Sequence, residues 1–337
     1  MSGQPGVGPV EVAAAVILRA DRQFLLARRP PGRVYEGYWE FPGGKVERAE
    51  SIRTALAREL REELAITVTC AYPWITREYV YPHAHVRLNF FRVVGWVGEP
   101  TSREAQALSW QSVESLSVSP LLPANGPIVR ALALPPVLAI TDASERGERA
   151  LLAQLDRALE RGLRMVMVRE KQMPKQRLHA LASAVRVRCK RYGALMLVNG
   201  DDAQTRDLGG DGVHLTAARL MAARSRPDFA WCGASCHDEI ELAQAAELQL
   251  DYALLGPVRP TRSKPAAVPI GWERLGRLLQ GYPLPVYALG GMQLDDLRAA
   301  CMAGAHGLAM IRGAWSAPPD QSFPSDWLGS DCASGMR

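Results

Sequence analysis

Short apolar runs separated by polar turns fill the first 135 residues. Val10–Leu18, Phe24–Arg28, Thr67–Pro73 and Val86–Trp96 read as strands. One strong helix is predicted from about Ser51 to Ala65, where Leu56, Leu60 and Leu64 recur every four residues on one face. A second apolar-periodic helix, Ile128–Leu134, is stopped by Pro135 and Pro136. The pattern changes there. Strand-like runs at Val137–Thr141, Arg164–Val168, Ala194–Val198, Gly212–Leu215, Ala230–Ala234, Tyr252–Leu255, Pro285–Ala288 and Gly307–Ile311 alternate with helical stretches such as Glu148–Arg161 and Gln176–Arg191. Eight strands with helices between them in about 180 residues predict a compact (β/α)8 barrel, with a doubly wound sheet as the alternative. The end of the chain, rich in Pro, Ser, Gly and Asp, reads as a loose tail.

Length agrees with that break, since 337 residues exceed one usual core and suggest two domains. Apolar residues at 47% and charged residues at 22% exclude a mainly disordered or fibrous chain. No uncharged apolar run reaches about 18 residues, which argues against a transmembrane helix. The opening MSGQPGVGPV lacks the basic start and apolar core of a secretion signal. Six scattered cysteines match neither a disulfide framework nor a CxxC zinc site, so a reducing cytoplasm is expected. The net charge of +5 is evenly spread, with 15 basic and 13 acidic residues through position 135 and 25 and 22 after it. Without a basic block, small anionic ligands are favoured over a nucleic-acid polymer, and no membrane partner is expected.

The chemistry concentrates in Gly44-Lys-Val-Glu47-Arg-Ala-Glu50, seven residues, then Arg58-Glu59-Leu-Arg-Glu62-Glu63. At about 100° per residue, Glu59, Glu62 and Glu63 share one arc of the helix. Crowded carboxylates repel one another, and a hard divalent cation such as Mg2+ or Mn2+ relieves that repulsion. The bland alternative is a solvated face with Arg58 and Arg61 as ion-pair partners. The wider spacing resembles the Nudix pyrophosphohydrolases from Gly44 through Glu63, although Ala65 and Ile66 stand where the box usually closes with glycine and an aliphatic residue. That departure touches the helix C-cap. Around the box, Trp39-Glu-Phe41-Pro-Gly-Gly44-Lys is similar to the MutT branch, whose members hydrolyse 8-oxo-dGTP.

This resemblance implies an α/β/α sandwich with a mixed sheet for the first domain. It implies metal ligation by Glu59, Glu62 and Glu63, with Gly43 and Glu104 completing the set, and catalysis by those four glutamates. Gly44, Glu50 and Arg58 become scaffold, while Glu47 lies between the two roles. Arg28, Phe41 and Asn125 become nucleotide contacts, Asn125 through its Pro-Ala-Asn segment. An N-cap or turn role is the alternative for Asn125. His83-Ala84 departs from the branch, where Asp-Arg can stand, and that affects purine recognition.

From Val137 to Ile311 the chain resembles the thiamine phosphate synthase and TenI superfamily. The resemblance rests on Arg169-Glu-Lys171, Asn199, Gly212-Val-His-Leu215, Ser235, His237, the Gly256 to Lys264 loop with Thr261 and Ser263, and Gly290-Gly291. It implies a phosphate ester, similar to a thiazole phosphate, held by Arg169, Lys171, Asn199, Ser235, His237, Thr261, Ser263, Lys264, Gly290 and Gly291. Synthases carry a Mg2+ aspartate after the third-strand asparagine and another after the fourth strand. Gly200 and Arg219 occupy those places, and Asp201 offers a substitute by a one-residue shift. The Asn199-Gly200 pair is similar to TenI-like proteins, in which a histidine at the place of His237 can act as acid or base; a helix-start histidine without chemistry is the alternative.

The expected organisation is an α/β multidomain chain, with a Nudix domain at 1–134, a TIM barrel at 136–315 and a tail at 316–337. The leading reading is a Mg2+-dependent 8-oxo-dGTP diphosphatase joined to a TenI-like phosphate-binding barrel, in the cytoplasm. A barrel active in thiamine biosynthesis, and a non-catalytic barrel that binds or dimerises, are the alternatives. The sequence allows an oligomer.

Overall fold

A computed structural model of the chain describes residues 8–324 apart from 104–105, 263–265 and 319. Its main division falls between Ala133 and Leu134. In the first unit, β1 (Val10–Ile17) is central to a mixed sheet. It pairs antiparallel with β4 (Gly43–Lys45) and parallel with β6 (Ala84–Val97), which pairs with β5 (Thr67–Tyr81). A second sheet orders β3 (Trp39–Glu40), β2 (Phe24–Arg28) and β7 (Leu108–Gln111). The helix Ile52–Leu64 lays Ala55, Leu56, Leu60 and Leu64 against Ala13, Ala15 and Ile17 of β1. The four-residue leucine spacing is therefore the core stripe.

Strand β5 is longer than its apolar pattern suggested, because Pro73 does not end it. Register shifts fall at Val68/Cys70, Cys70/Ala71 and Pro73/Thr76, and such irregularities accommodate a residue that cannot donate to the ladder. The second helix runs over Gly126–Leu132, earlier than predicted, since Pro127 suits the first turn.

The helix Ile52–Leu64 starts on a Ser51 side chain that accepts from Thr54 N at 3.1 Å. It ends on Ala65 in a left-handed conformation, φ 59°. Ile66 N donates back to Leu60 O at 3.3 Å, so the turn is one that glycine makes without Cβ strain. Ala65→Gly is expected to stabilise this unit by about 0.5–1 kcal/mol. Denaturant midpoints of the two proteins check it.

The second unit is a closed barrel of eight parallel strands: β8 (Val137–Ile140), β9 (Met165–Val168), β10 (Leu195–Asn199), β11 (Gly212–Leu215), β12 (Trp231–Cys236), β13 (Tyr252–Leu255), β14 (Val286–Leu289) and β15 (Gly307–Met310). Pairing of Leu308 with Val137 closes the ring and excludes the doubly wound alternative. Leu138, Ile140, Met165, Met167, Leu197, Leu254 and Ala309 fill its interior with Tyr252 and Tyr287. The tail does not leave the barrel at once. Phe323 is 3% exposed and its N–H bonds to Arg161 O at 2.8 Å, so an aromatic anchor overrides the polar composition around it. Residues from 325 on lie outside the described part. Among the described residues no helix is long and apolar enough to cross a membrane.

Candidate functional site

In the first unit, the cation that satisfies the carboxylate cluster is Arg58. Its Nη1 lies 2.9 Å from Glu59 and 3.1 Å from Glu62, and its Nε and Nη2 each bond Glu50 at 3.1 Å. Nη2 also donates to Lys45 O at 3.1 Å, tying the helix to the end of β4. The surrounding carboxylates raise the affinity of Arg58 for its proton, chiefly through the Glu50 hydrogen bond, and Arg58 in turn holds the Glu50 carboxyl below its usual range. Arg61, the other basic candidate, forms no ion pair among the described residues. Glu63 accepts from Gly43 N at 3.2 Å. Gly44 is a close approach, since a Cβ there would lie 2.2 Å from the Glu59 carboxylate.

Among the described residues no group of three His, Cys, Asp or Glu side chains is gathered to hold a metal ion as it stands. The donor chemistry nonetheless fits a hard divalent cation: three carboxylates share one helix arc, two of them, Glu59 and Glu63, lie against the Gly43-Gly44 backbone, and every ligand atom is oxygen. Glu104 lies outside the described residues.

Asn125 is 4% exposed, and its side chain makes no capping bond. Its amide nitrogen is buried with no hydrogen-bond partner, so neither an N-cap nor a turn role accounts for it. Phe41, 4% exposed, packs between Phe24 and Phe90 with ring centroids 5.8 and 5.9 Å away; it presents little surface. Arg28 is exposed, its Nε 3.3 Å from Gly37 O.

At the His83-Ala84 departure the structure shows an aromatic group that the apolar pattern did not single out. His83 contacts Tyr35 and Tyr81 at 5.9 and 5.6 Å between centroids. Burial pushes the Tyr81 phenol up to about 12, opposed by a bond from the Ala124 backbone beside Asn125.

In the barrel, residues from different strand ends converge on a cavity of about 500 Å3. Arg169, Lys171, Asn199, Ser235, His237, Thr261, Gly290 and Gly291 all line it, while Ser263 and Lys264 lie outside the described residues. Gly290 and Gly291 have φ of 104° and 67°, and a Cβ on either would meet Pro257 or Pro260 at 2.7 Å, so both positions require glycine. The described lining includes Arg262 and Arg312 but no carboxylate. Asp201 does not substitute for the missing aspartates. It caps the helix Asp202–Leu208 by accepting from Gln204 N at 2.8 Å, and it pairs with Arg219 at 3.1 Å. The one-residue shift therefore turns that carboxylate to a cap and a salt bridge.

Two partners escaped the sequence reading. Glu241, one helical turn after His237, accepts from its Nδ1 at 2.8 Å and its backbone N at 2.6 Å, a spacing of four that the sequence did display. His214, in β11, lines the cavity beside Ser235; the sequence reading included it in the Gly212–Leu215 motif but gave it no role.

The architecture and these sites define a two-part enzyme: a helix-borne carboxylate cluster on a mixed sheet, then a barrel with a cationic, glycine-rich mouth. Residues 9–132 match the NUDIX domain family and residues 137–314 the family described as thiamine monophosphate synthase. The chain belongs to both families. It is 43% identical to the CTP pyrophosphohydrolase of Escherichia coli over 36% of this chain and 90% of that protein. It is 33% identical to the 8-oxo-dGTP diphosphatase of Escherichia coli over 36% of this chain and 95% of that one. The barrel is 35% identical to a thiamine-phosphate synthase of Thiobacillus denitrificans, over 54% of this chain and 88% of that protein. The first unit is thus a hydrolase of pyrophosphate bonds, in a family that generally uses divalent metals. The barrel is of the thiamine phosphate synthase type.

Proposed function

We propose that the first unit is a Mg2+-dependent diphosphatase that converts 8-oxo-dGTP to 8-oxo-dGMP and pyrophosphate in the cytoplasm, and that the barrel binds a phosphate ester. One observation carries the choice of a nucleobase substrate: the buried, unpartnered amide nitrogen of Asn125. A buried donor without an acceptor costs about 1–3 kcal/mol, and a base carbonyl relieves that cost. Glu59, Glu62 and Glu63 would hold the metal, with Gly43 and Glu104. Bound Mg2+ supplies neutralisation of phosphate charge and a more acidic water. The protein does the rest. The Glu63–Gly43 bond ties the helix to β4, Arg58 orients Glu50 and Glu59, and Glu104 would assist the metal or the attacking water.

A pyrimidine triphosphate is the second reading, favoured by the 43% identity to a CTP pyrophosphohydrolase and by the aromatic group around His83. The whole chain, assayed with Mg2+ against a triphosphate panel, decides between them. Fastest release of pyrophosphate, rather than phosphate, from 8-oxo-dGTP is expected; fastest turnover of CTP favours the second reading.

Asn125→Ala is expected to reduce the preference for 8-oxo-dGTP over dGTP by about tenfold, with a smaller loss of basal hydrolysis. An unchanged ratio of kcat/KM values would show that Asn125 does not read the base.

A further inference from the structure

Three neighbouring strands of the barrel carry a hydrogen-bonded line of side chains. His214 Nε2 lies 2.9 Å from Ser235 Oγ, and its Nδ1 lies 3.0 Å from the Tyr252 hydroxyl. His214 is 1% exposed and Tyr252 fully buried, whereas Ser235 lines the cavity. Gly233 makes room for the phenol: a Cβ there would lie 2.1 Å from the Tyr252 ring.

A serine beside a histidine suggests a nucleophile and its base. Counting hydrogens gives the opposite arrangement. Burial pushes the His214 imidazole down to about 3, so it is neutral and carries one N–H. Burial also holds the Tyr252 phenol well above its ordinary range, so it keeps its proton. Among the described residues the only hydrogen-bond partner of that hydroxyl is His214 Nδ1, and a buried O–H left unpaired is costly. Nδ1 therefore accepts. The ring proton then sits on Nε2 and is donated to Ser235 Oγ, which leaves the serine hydrogen free to point at a ligand. An Nε2 that already carries a proton cannot take one from Ser235.

We propose that Tyr252 and His214 are positioning residues that make Ser235 a dedicated hydrogen-bond donor to an anionic oxygen of the cavity's ligand, not a nucleophile. This rests on the reading of the cavity as a phosphate site. Arg169 and Lys171 in the same cavity, and the absence of a carboxylate from the described lining, suit such an oxygen.

The whole chain, labelled with 15N-histidine and kept in EDTA, provides the first test, since six histidine signals are separable by substitution. His214 is expected to stay neutral and Nε2-protonated from about pH 5 to 9. An Nδ1-protonated tautomer, or titration within that range, overturns the relay whatever the ligand is.

Calorimetric titration with inorganic pyrophosphate, also in EDTA, provides the second test. Ser235→Ala is expected to weaken binding roughly tenfold and Tyr252→Phe roughly threefold. In the Ser235→Ala background Tyr252→Phe should cost nothing further, a coupling that loss of packing alone does not produce. Fully additive losses, or wild-type binding indifferent to Ser235→Ala, overturn the relay alone. No binding by the wild type overturns the phosphate reading, and the anionic ligand with it. Covalent capture of Ser235 by a fluorophosphonate would identify a nucleophile and also overturn the proposal.

Discussion

Glu63→Gln is expected to lower Mg2+-dependent triphosphate hydrolysis on the order of a hundredfold or more while leaving the fold intact. The two consequences separate because glutamine keeps an oxygen for the Gly43 N–H, which Glu63 accepts at 3.2 Å, and loses only the charge. Glu62→Gln should act in the same direction. Its side chain is 59% exposed and meets Arg58 at 3.1 Å, so its structural contribution is small and its loss should register in turnover alone. Steady-state kinetics at saturating Mg2+, paired with thermal unfolding, check both variants; wild-type turnover in either one removes that residue from the proposed ligand set.

The intact chain, given the pyrimidine pyrophosphate, the thiazole phosphate and Mg2+, is expected to form no thiamine phosphate above background while still binding the thiazole phosphate. Binding follows from Arg169, Lys171 and the Gly290-Gly291 loop, which all line one cavity. The missing turnover follows from Gly200 and from Arg219, whose guanidinium neutralises Asp201 at 3.1 Å rather than leaving a carboxylate for Mg2+. Product formation measured beside a binding titration is decisive: robust thiamine phosphate synthesis would make the barrel the main enzyme and the hydrolase secondary.

Much of the architecture was legible in the sequence because it depends on local hydrophobic pattern. The eight barrel strands follow from short continuous apolar runs set between amphipathic helices, and the Leu56–Leu60–Leu64 stripe from helical spacing, which are local properties. Tertiary context decided other features. Pro73 lies within a bulged β5, β3 and β4 carry only two or three residues, β7 (Leu-Ser-Trp-Gln) is not an apolar run, and Phe323 anchors a segment whose composition suggests a free end.

For the sites, the sequence by itself determined which residues share a helix arc or a strand end: Glu59, Glu62 and Glu63 through helical repeat, and the cavity-lining residues of the barrel through their places after successive strands. Only the tertiary structure decided what those residues meet. It set Arg58 among Glu50, Glu59 and Glu62, turned Asp201 to a helix cap and Arg219, left the Asn125 amide without an acceptor, and joined Tyr252, His214 and Ser235 in one line. A repeat records the direction of a side chain along its own element; a hydrogen bond needs a second element at about 3 Å, and that distance is set by the packing of strands and loops remote in sequence.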